Sequence, residues 1–164
     1  EMAKKIIEIE GMSDENRTFS VGVINGGEWV NCVSSTCDAE VISMAKKQKN
    51  LDEGIATILS MNKKNSEIKF SVEQSVVRPV WELNEGTKKL FDLTQEICKG
   101  LNLPFSHGSM GGGSDGNFSG ALNVPTVDGL GTLGENYHTL KEHIYIDSIE
   151  KRANVIANIV SNLN

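Results

Sequence analysis

"GSMGGGSDGNF", Gly108 to Phe118, fits two chemical patterns at once, and the choice between them decides what kind of fold surrounds it. As G-x-G-x-x-G, with Gly111, Gly113 and Gly116, it would turn a strand into a helix beneath a dinucleotide pyrophosphate. As G-x-S-x-G, with Gly112, Ser114 and Gly116, it would be a nucleophile elbow, and Asp128 and His138 follow in the acid-then-base order of the α/β-hydrolases. Both patterns need a buried strand running straight into the glycines. Residues 104–110, "PFSHGSM", are polar and led by proline, and the segment before them has helical spacing. No G-K-[ST] ending is present, which removes a P-loop. What survives is backbone chemistry. Successive glycines let N–H groups approach an anion, and a helix opening near Asp115 adds the positive end of its dipole. A packed turn without a ligand stays open as the alternative.

Working outward, Leu90, Leu93 and Ile97 keep helical spacing between Asn84 and Gly100, with Gly100 where a C-cap belongs. A short helix is expected from Asp115 to Leu122. A last helix opens on Asp147-Ser148 and Glu150 like a capping box and is expected to bury Ile149, Ala153, Ile156, Val160 and Leu163. Upstream of Arg78-Pro79 the pattern changes. Residues 3–10 read as a helix end closed by Gly11. "TFSVGVING" alternates as a half-buried strand, Gly26-Gly27 turns the chain, and "WVNCVSSTCDAEVISM" (Trp29 to Met44) reads as the second strand of a hairpin. Asp52 to Met61 reads as a helix, and "EIKFSVEQSVV" (Glu67 to Val77) as a further strand. The predicted order α-β-β-α-β over residues 1–77 is a ferredoxin-like, split β-α-β unit lacking its first strand. Residues 78–164 read as half of an α/β layer structure. The fold class is therefore α+β followed by α/β.

The chain has 164 residues, 38% of them apolar and 23% charged, enough to bury a core as one domain or two small ones. A net charge of −6 and the lack of a basic stripe interleaved with aromatics argue against nucleic acid as a partner. No apolar run approaches the roughly 20 residues that span a bilayer, so no membrane partner is expected. Cys32, Cys37 and Cys98 form no C-x-x-C pair and no even set, which reads as reduced, packing cysteines in a cytoplasmic protein. Cys32 and Cys37, placed on one strand, are expected on opposite faces. The opening "EMAKKIIEIEGM" enters mid-helix, as a piece of a longer protein would.

Four segments together resemble one family. Arg78-Pro79, "GGGSDGNF" (Gly111 to Phe118), "VPTVDGLG" (Val124 to Gly131) and "GENYHTLKEHIYI" (Gly134 to Ile146) occur in the order of the C-terminal half of the zinc-dependent aminoacylase/carboxypeptidase family, which includes glutamate carboxypeptidase. "VGVINGGEWVN" resembles that family's lid, or dimerisation, domain. The resemblance implies residues 1–77 as a partial lid and 78–164 as the C-terminal part of an α/β zinc-exopeptidase catalytic domain. It implies that His138 is the last metal-ligand histidine of a site holding two zinc ions in the intact parent. Arg78 falls on an arginine that grips the substrate carboxylate, Gly112, Gly113 and Ser114 on the loop lining the substrate, and Asn31 on a lid asparagine reaching toward the active site. Glu142 matches an acidic position behind the histidine. The implied activity is release of a C-terminal or N-acylated amino acid from peptide or N-acyl substrates by a homodimer joined through its lid.

Departures from the family are as informative. The H-x-D ligand pair, the adjacent Glu-Glu with the general base, a further carboxylate ligand and the lid histidine are absent, and no Arg stands near Ile42 to Met44. No catalytic residue is therefore assigned within these residues. The chain alone is expected to be inactive and not to bind zinc tightly. A non-catalytic dimerisation or interaction module is the alternative from another functional class.

Overall fold

The structure is a computed structural model and describes residues 2–62, 68–108 and 111–163. Nine elements follow one another: α1 (Met2–Glu10), β1 (Arg17–Gly26), β2 (Cys37–Ala45), α2 (Gln48–Leu59), α3 (Glu85–Gly100), α4 (Gly116–Ala121), β3 (Gly134–Glu135), β4 (His143–Ile144) and α5 (Ser148–Ser161) among the described residues. They form a mixed α/β fold with two small antiparallel sheets, β1-β2 and β3-β4. Contacts divide the chain into two compact units, Glu1–Val80 with Gly111–Gly113, and Trp81–Met110 with Ser114–Asn164. The expected boundary lay at 77/78; the contact boundary lies at 80/81, which leaves Arg78 and Pro79 in the first unit.

In the first unit β1 and β2 pair from Arg17↔Ala45 to Gly26↔Cys37, with an irregularity at Gly22 between Val21 and Val23. Phe19 is the buried residue of β1, and Leu51 of α2 and Ile9 of α1 are buried with it in this unit. Helix α2 approaches the sheet closely because Gly54 has no side chain. A Cβ there would stand 2.8 Å from Ser43 Oγ and 3.4 Å from the Phe19 ring. The Ser13 hydroxyl accepts from Phe19 N at 2.9 Å, and Glu10 Oε1 accepts from Val21 N at 3.1 Å. Side chains thus occupy backbone donors that another strand would otherwise take.

Two expected strands are shorter or missing. Residues 27–36 form a loop instead of the start of β2. Gly27 takes φ +92°, and its N–H donates to Ser34 Oγ at 3.0 Å, while that hydroxyl bonds Thr36 O. The loop leaves Trp29, Val30 and Val33 exposed. Cys32 therefore sits in a loop, not opposite Cys37 on a strand. The expected strand from Glu67 to Val77 does not form among its described residues, which hold no more than an isolated bridge at Phe70; Glu67 lies outside them. Alternation alone makes no strand without a ladder partner. Val72 has both backbone groups bound by one amide: its N–H donates to Asn62 Oδ1 at 2.8 Å and its carbonyl accepts from Asn62 Nδ2 at 3.0 Å.

In the second unit Cys98, Val155 and Ile159 form the buried centre, packed by Leu90, Ile97, Leu103, Phe105 and Leu130. Asn84 caps α3 by accepting from Thr87 N at 2.8 Å, worth about 1 kcal/mol. The cap at the other end is not Gly100, which is still helical. Asn102 takes the left-handed conformation at φ 52°, with its N–H on Lys99 O and Leu103 N on Cys98 O, a Schellman pattern. Asn123 closes α4 in the same way at φ 61°.

Helix α5 turns a different face inward than its apolar stripe predicts. Ser148, Val155 and Ile159 are buried, whereas Ile149, Ile156 and Val160 are exposed and Leu163, just past the helix, is 61% exposed. The expected capping box is also absent, because Asp147 adopts helical angles and its side chain caps no N–H. Leu163 does line an apolar groove of about 520 Å³ together with Gly86, Lys89, Leu90, Leu93 and Pro125.

Candidate functional site

The first unit brings Arg78 and the glycine loop together. Segment 78–80 is tied to α2 by Gln48, whose Oε1 accepts from Val80 N at 2.8 Å. A Cβ on Gly113 would lie 3.1 Å from Arg78 Cδ, so the arginine stem runs directly over that glycine. Gly111 and Gly112 face open space where their Cβ atoms would be, and both are exposed. Two of the sequence-assigned substrate-binding residues thus share one surface. Asn31 sits in the exposed 27–36 loop of the same unit, its Oδ1 accepting from the Cys32 thiol at 3.8 Å.

Among the described residues no strand leads into this loop. Residues 103–108 carry no ladder, so neither a dinucleotide fingerprint nor a serine elbow has its scaffold. Ser114, in the second unit, serves the backbone: its hydroxyl accepts from Gly116 N at 3.1 Å, and its N–H donates to Asn117 Oδ1 at 2.9 Å.

His138 lies at the tip of the β3-β4 hairpin in the second unit. Gly134 permits the close crossing at its base, since a Cβ there would meet His143 O at 2.5 Å. Asn136 and His138 both take positive φ, 60° and 63°, so the connection is tightly wound. Its bonds are local: Thr139 Oγ1 donates to Asn136 O, Glu142 N to Thr139 O, and His138 N to Glu142 Oε2 at 3.2 Å. The structure thereby joins His138 to Glu142 through the main chain. The imidazole is exposed. Among the described residues no group of three or more His, Cys, Asp or Glu is placed to hold a metal ion, so they do not by themselves fit a metal centre.

Sequence reasoning missed the groups that brace this hairpin. Tyr145 is hydrogen-bonded to the Glu135 carboxylate, and that bond, then desolvation and the carboxylate charge, hold its phenol above the ordinary value of 10.0. No local pattern in the sequence announces this bond, which depends on the fold pairing Glu135 with His143, two positions from Tyr145. A raised value contributes stability that is present below the unfolded-state pKa and lost as pH rises through the folded one, so the window lies above pH 10.0. Glu135→Gln is expected to return the phenol to earlier ionisation in an ultraviolet tyrosinate titration. An unmoved titration curve would show that the carboxylate does not govern it.

The sequence profile of peptidase family M20/M25/M40 matches residues 3–162. The chain belongs to this family. Among M20 relatives, Peptidase T of Shouchella clausii (strain KSM-K16) is 30% identical over 102 residues, 62% of this chain and 25% of that protein. Peptidase T of Bacillus mycoides (strain KBAB4) is 33% identical over 75 residues, 46% of this chain and 18% of that protein. The crystal structure of aminopeptidase PepT from Bacillus cereus ATCC 10987 superposes with a TM-score of 0.59 at 21% identity, covering 90% of this chain and 40% of that one. That likeness shows the fold. The chain matches a quarter or less of the length of these curated M20 relatives.

Proposed function

We propose that this M20 chain is the partial lid and the C-terminal catalytic half of a metal-dependent exopeptidase acting on short peptides or N-acyl amino acids that carry a free carboxylate. The observation that carries the reading is Arg78 lying over Gly113 within one unit. A planar guanidinium beside side-chain-free backbone is suited to a carboxylate, which it can bind with two parallel hydrogen bonds. In this reading Gly112, Gly113 and Ser114 line the substrate, Asn31 reaches it from the lid, and His138 supplies one imidazole to the metal site, zinc by the family resemblance. Glu142 holds the main chain of that histidine. The remaining ligands and the general base belong to polypeptide outside these residues, so no chemical step is assigned to the chain itself.

The resemblance implies release of a C-terminal or N-acylated amino acid. The relatives favour a second reading, removal of the N-terminal residue, because the structural neighbour is named an aminopeptidase. A carboxylate-gripping arginine serves either, since it fixes one end of a short peptide whichever bond is cut. Association of two copies through the lid is part of the same proposal. Exposed Trp29, Val30 and Val33 in the 27–36 loop support an interaction role there.

Mass-spectrometric analysis of digests tests the reading. A protein carrying this chain within the full length of its relatives is expected to cleave short unblocked peptides when loaded with zinc or cobalt, the first product telling which end is released. The 164-residue chain is expected to show no turnover of dipeptides or N-acyl amino acids under the same conditions. Turnover by the pure chain, or inactivity of the longer metal-loaded protein on all these substrates, would overturn it.

A further inference from the structure

We infer that Ser148 and Arg152, one helical turn apart on α5, are positioning residues for the hairpin that carries His138. The inference rests on the reading of His138 as a site residue. It is carried by five hydrogen bonds to backbone on both sides of the β3-β4 pair, all within the second unit.

Ser148 is 4% exposed. Its hydroxyl accepts from Leu133 N at 3.0 Å and donates to Tyr145 O at 2.6 Å. Leu133 O in turn accepts from Tyr145 N at 2.9 Å. Leu133 and Tyr145 are the next positions beyond the Gly134↔Ile144 pair, so the hydroxyl stands where one more rung of the ladder would be. Arg152 takes the irregular segment that leads into β3. Its Nε donates to Gly131 O at 2.9 Å and Leu130 O at 3.2 Å, and its Nη2 donates to Gly129 O. Gly129 has φ +72°, a conformation that a bonded carbonyl helps to hold.

The need for such a brace follows from the size of the sheet. Each strand has two residues, and a two-stranded ribbon of that length has no stability of its own in water. The bonds inside the 136–142 connection fix its shape but not its place. Its place is set at the base, where α5 reaches both flanks through residues at i and i+4 on one face. Loss of the Ser148 hydroxyl leaves Leu133 N without this acceptor and takes one of two donors from Tyr145 O, which also accepts from Ser148 N at 2.9 Å.

Amide hydrogen exchange on the 164-residue chain tests the brace, with Ser148→Ala, Ser148→Thr and Arg152→Gln. Ser148→Ala and Arg152→Gln are expected to speed exchange about tenfold or more at Leu133, His138, Glu142 and Tyr145, with α3 and the first unit unchanged. Ser148→Thr, which keeps the hydroxyl, is expected to retain protection. Equal exchange in all variants, or acceleration spread evenly over the second unit, would overturn the inference. Should Arg152→Gln fail to fold, the Ala and Thr variants of Ser148 still decide it, since only one lacks the hydroxyl. In the longer protein Ser148→Ala is expected to lower kcat about tenfold with KM unchanged, within the range seen when groups orienting metal ligands are removed. Faster exchange with kcat intact would refute positioning. Faster exchange together with full activity of a His138→Gln variant leaves the brace standing and overturns the reading of His138 instead.

Discussion

Alanine at Gly120 is expected to destabilise the second unit by about 2–3 kcal/mol, because the new methyl enters an aromatic ring. Gly120 is buried in α4, and a Cβ there would lie 2.2 Å from Trp81 Cδ1 and 2.4 Å from both Cγ and Nε1. Atoms at that separation overlap, so either the indole or the short helix has to move. The neighbouring Gly116 faces the same ring, since a Cβ there would stand 3.3 Å from Trp81 Cζ3. Urea unfolding followed by circular dichroism measures the loss. With Trp81→Ala already in place the same substitution is expected to cost little, because the two residues share one contact. A loss of less than about 0.5 kcal/mol in the wild-type background would mean the ring yields freely.

Arg78→Ala, in a protein of the relatives' full length, is expected to raise KM for a peptide with a free carboxylate about thirtyfold or more, corresponding to roughly 2–5 kcal/mol of lost charge pairing. The effect should appear in KM more than in kcat, since a carboxylate away from the scissile bond is held alike in ground and transition states. Lysine should restore the charge but not the two-pronged grip, and so recover part of the affinity. Amidating the substrate carboxylate should reproduce the loss in the wild-type protein and add nothing to it in the variant. An unchanged KM for Arg78→Ala would remove this residue from substrate binding.

Much of the architecture was legible because helices announce themselves locally. Asn84 marks the start of α3, Gly11 follows α1, and Gly116–Ala121 forms within the span expected for a short helix. Strands were less legible, since they depend on partners. The alternation of Ile68, Phe70 and Val72 matched a strand, yet the Asn62 amide took the backbone groups of Val72. The stripe of α5 misled for a related reason. Burial there follows Ser148, Val155 and Ile159, two apolar positions and one small polar residue whose hydroxyl has backbone work that no hydropathy pattern encodes. At the candidate site, Glu142 stood behind His138 by the family resemblance alone, and the His138 N–H donates to its carboxylate at 3.2 Å. The meeting of Arg78 with Gly113 had no local signal, because it depends on how Gln48 fastens residue 80 to a helix far upstream.

The division into two compact units gives the chain a built-in pair of optical probes. Its two tryptophans fall one to each unit, Trp29 in the wet 27–36 loop of the first and Trp81 half-shielded against Gly120 in the second. Variants retaining a single indole would let fluorescence follow the melting of either half by itself. The emission of Trp29 should start red-shifted, and that of Trp81 should redden only as its own unit opens.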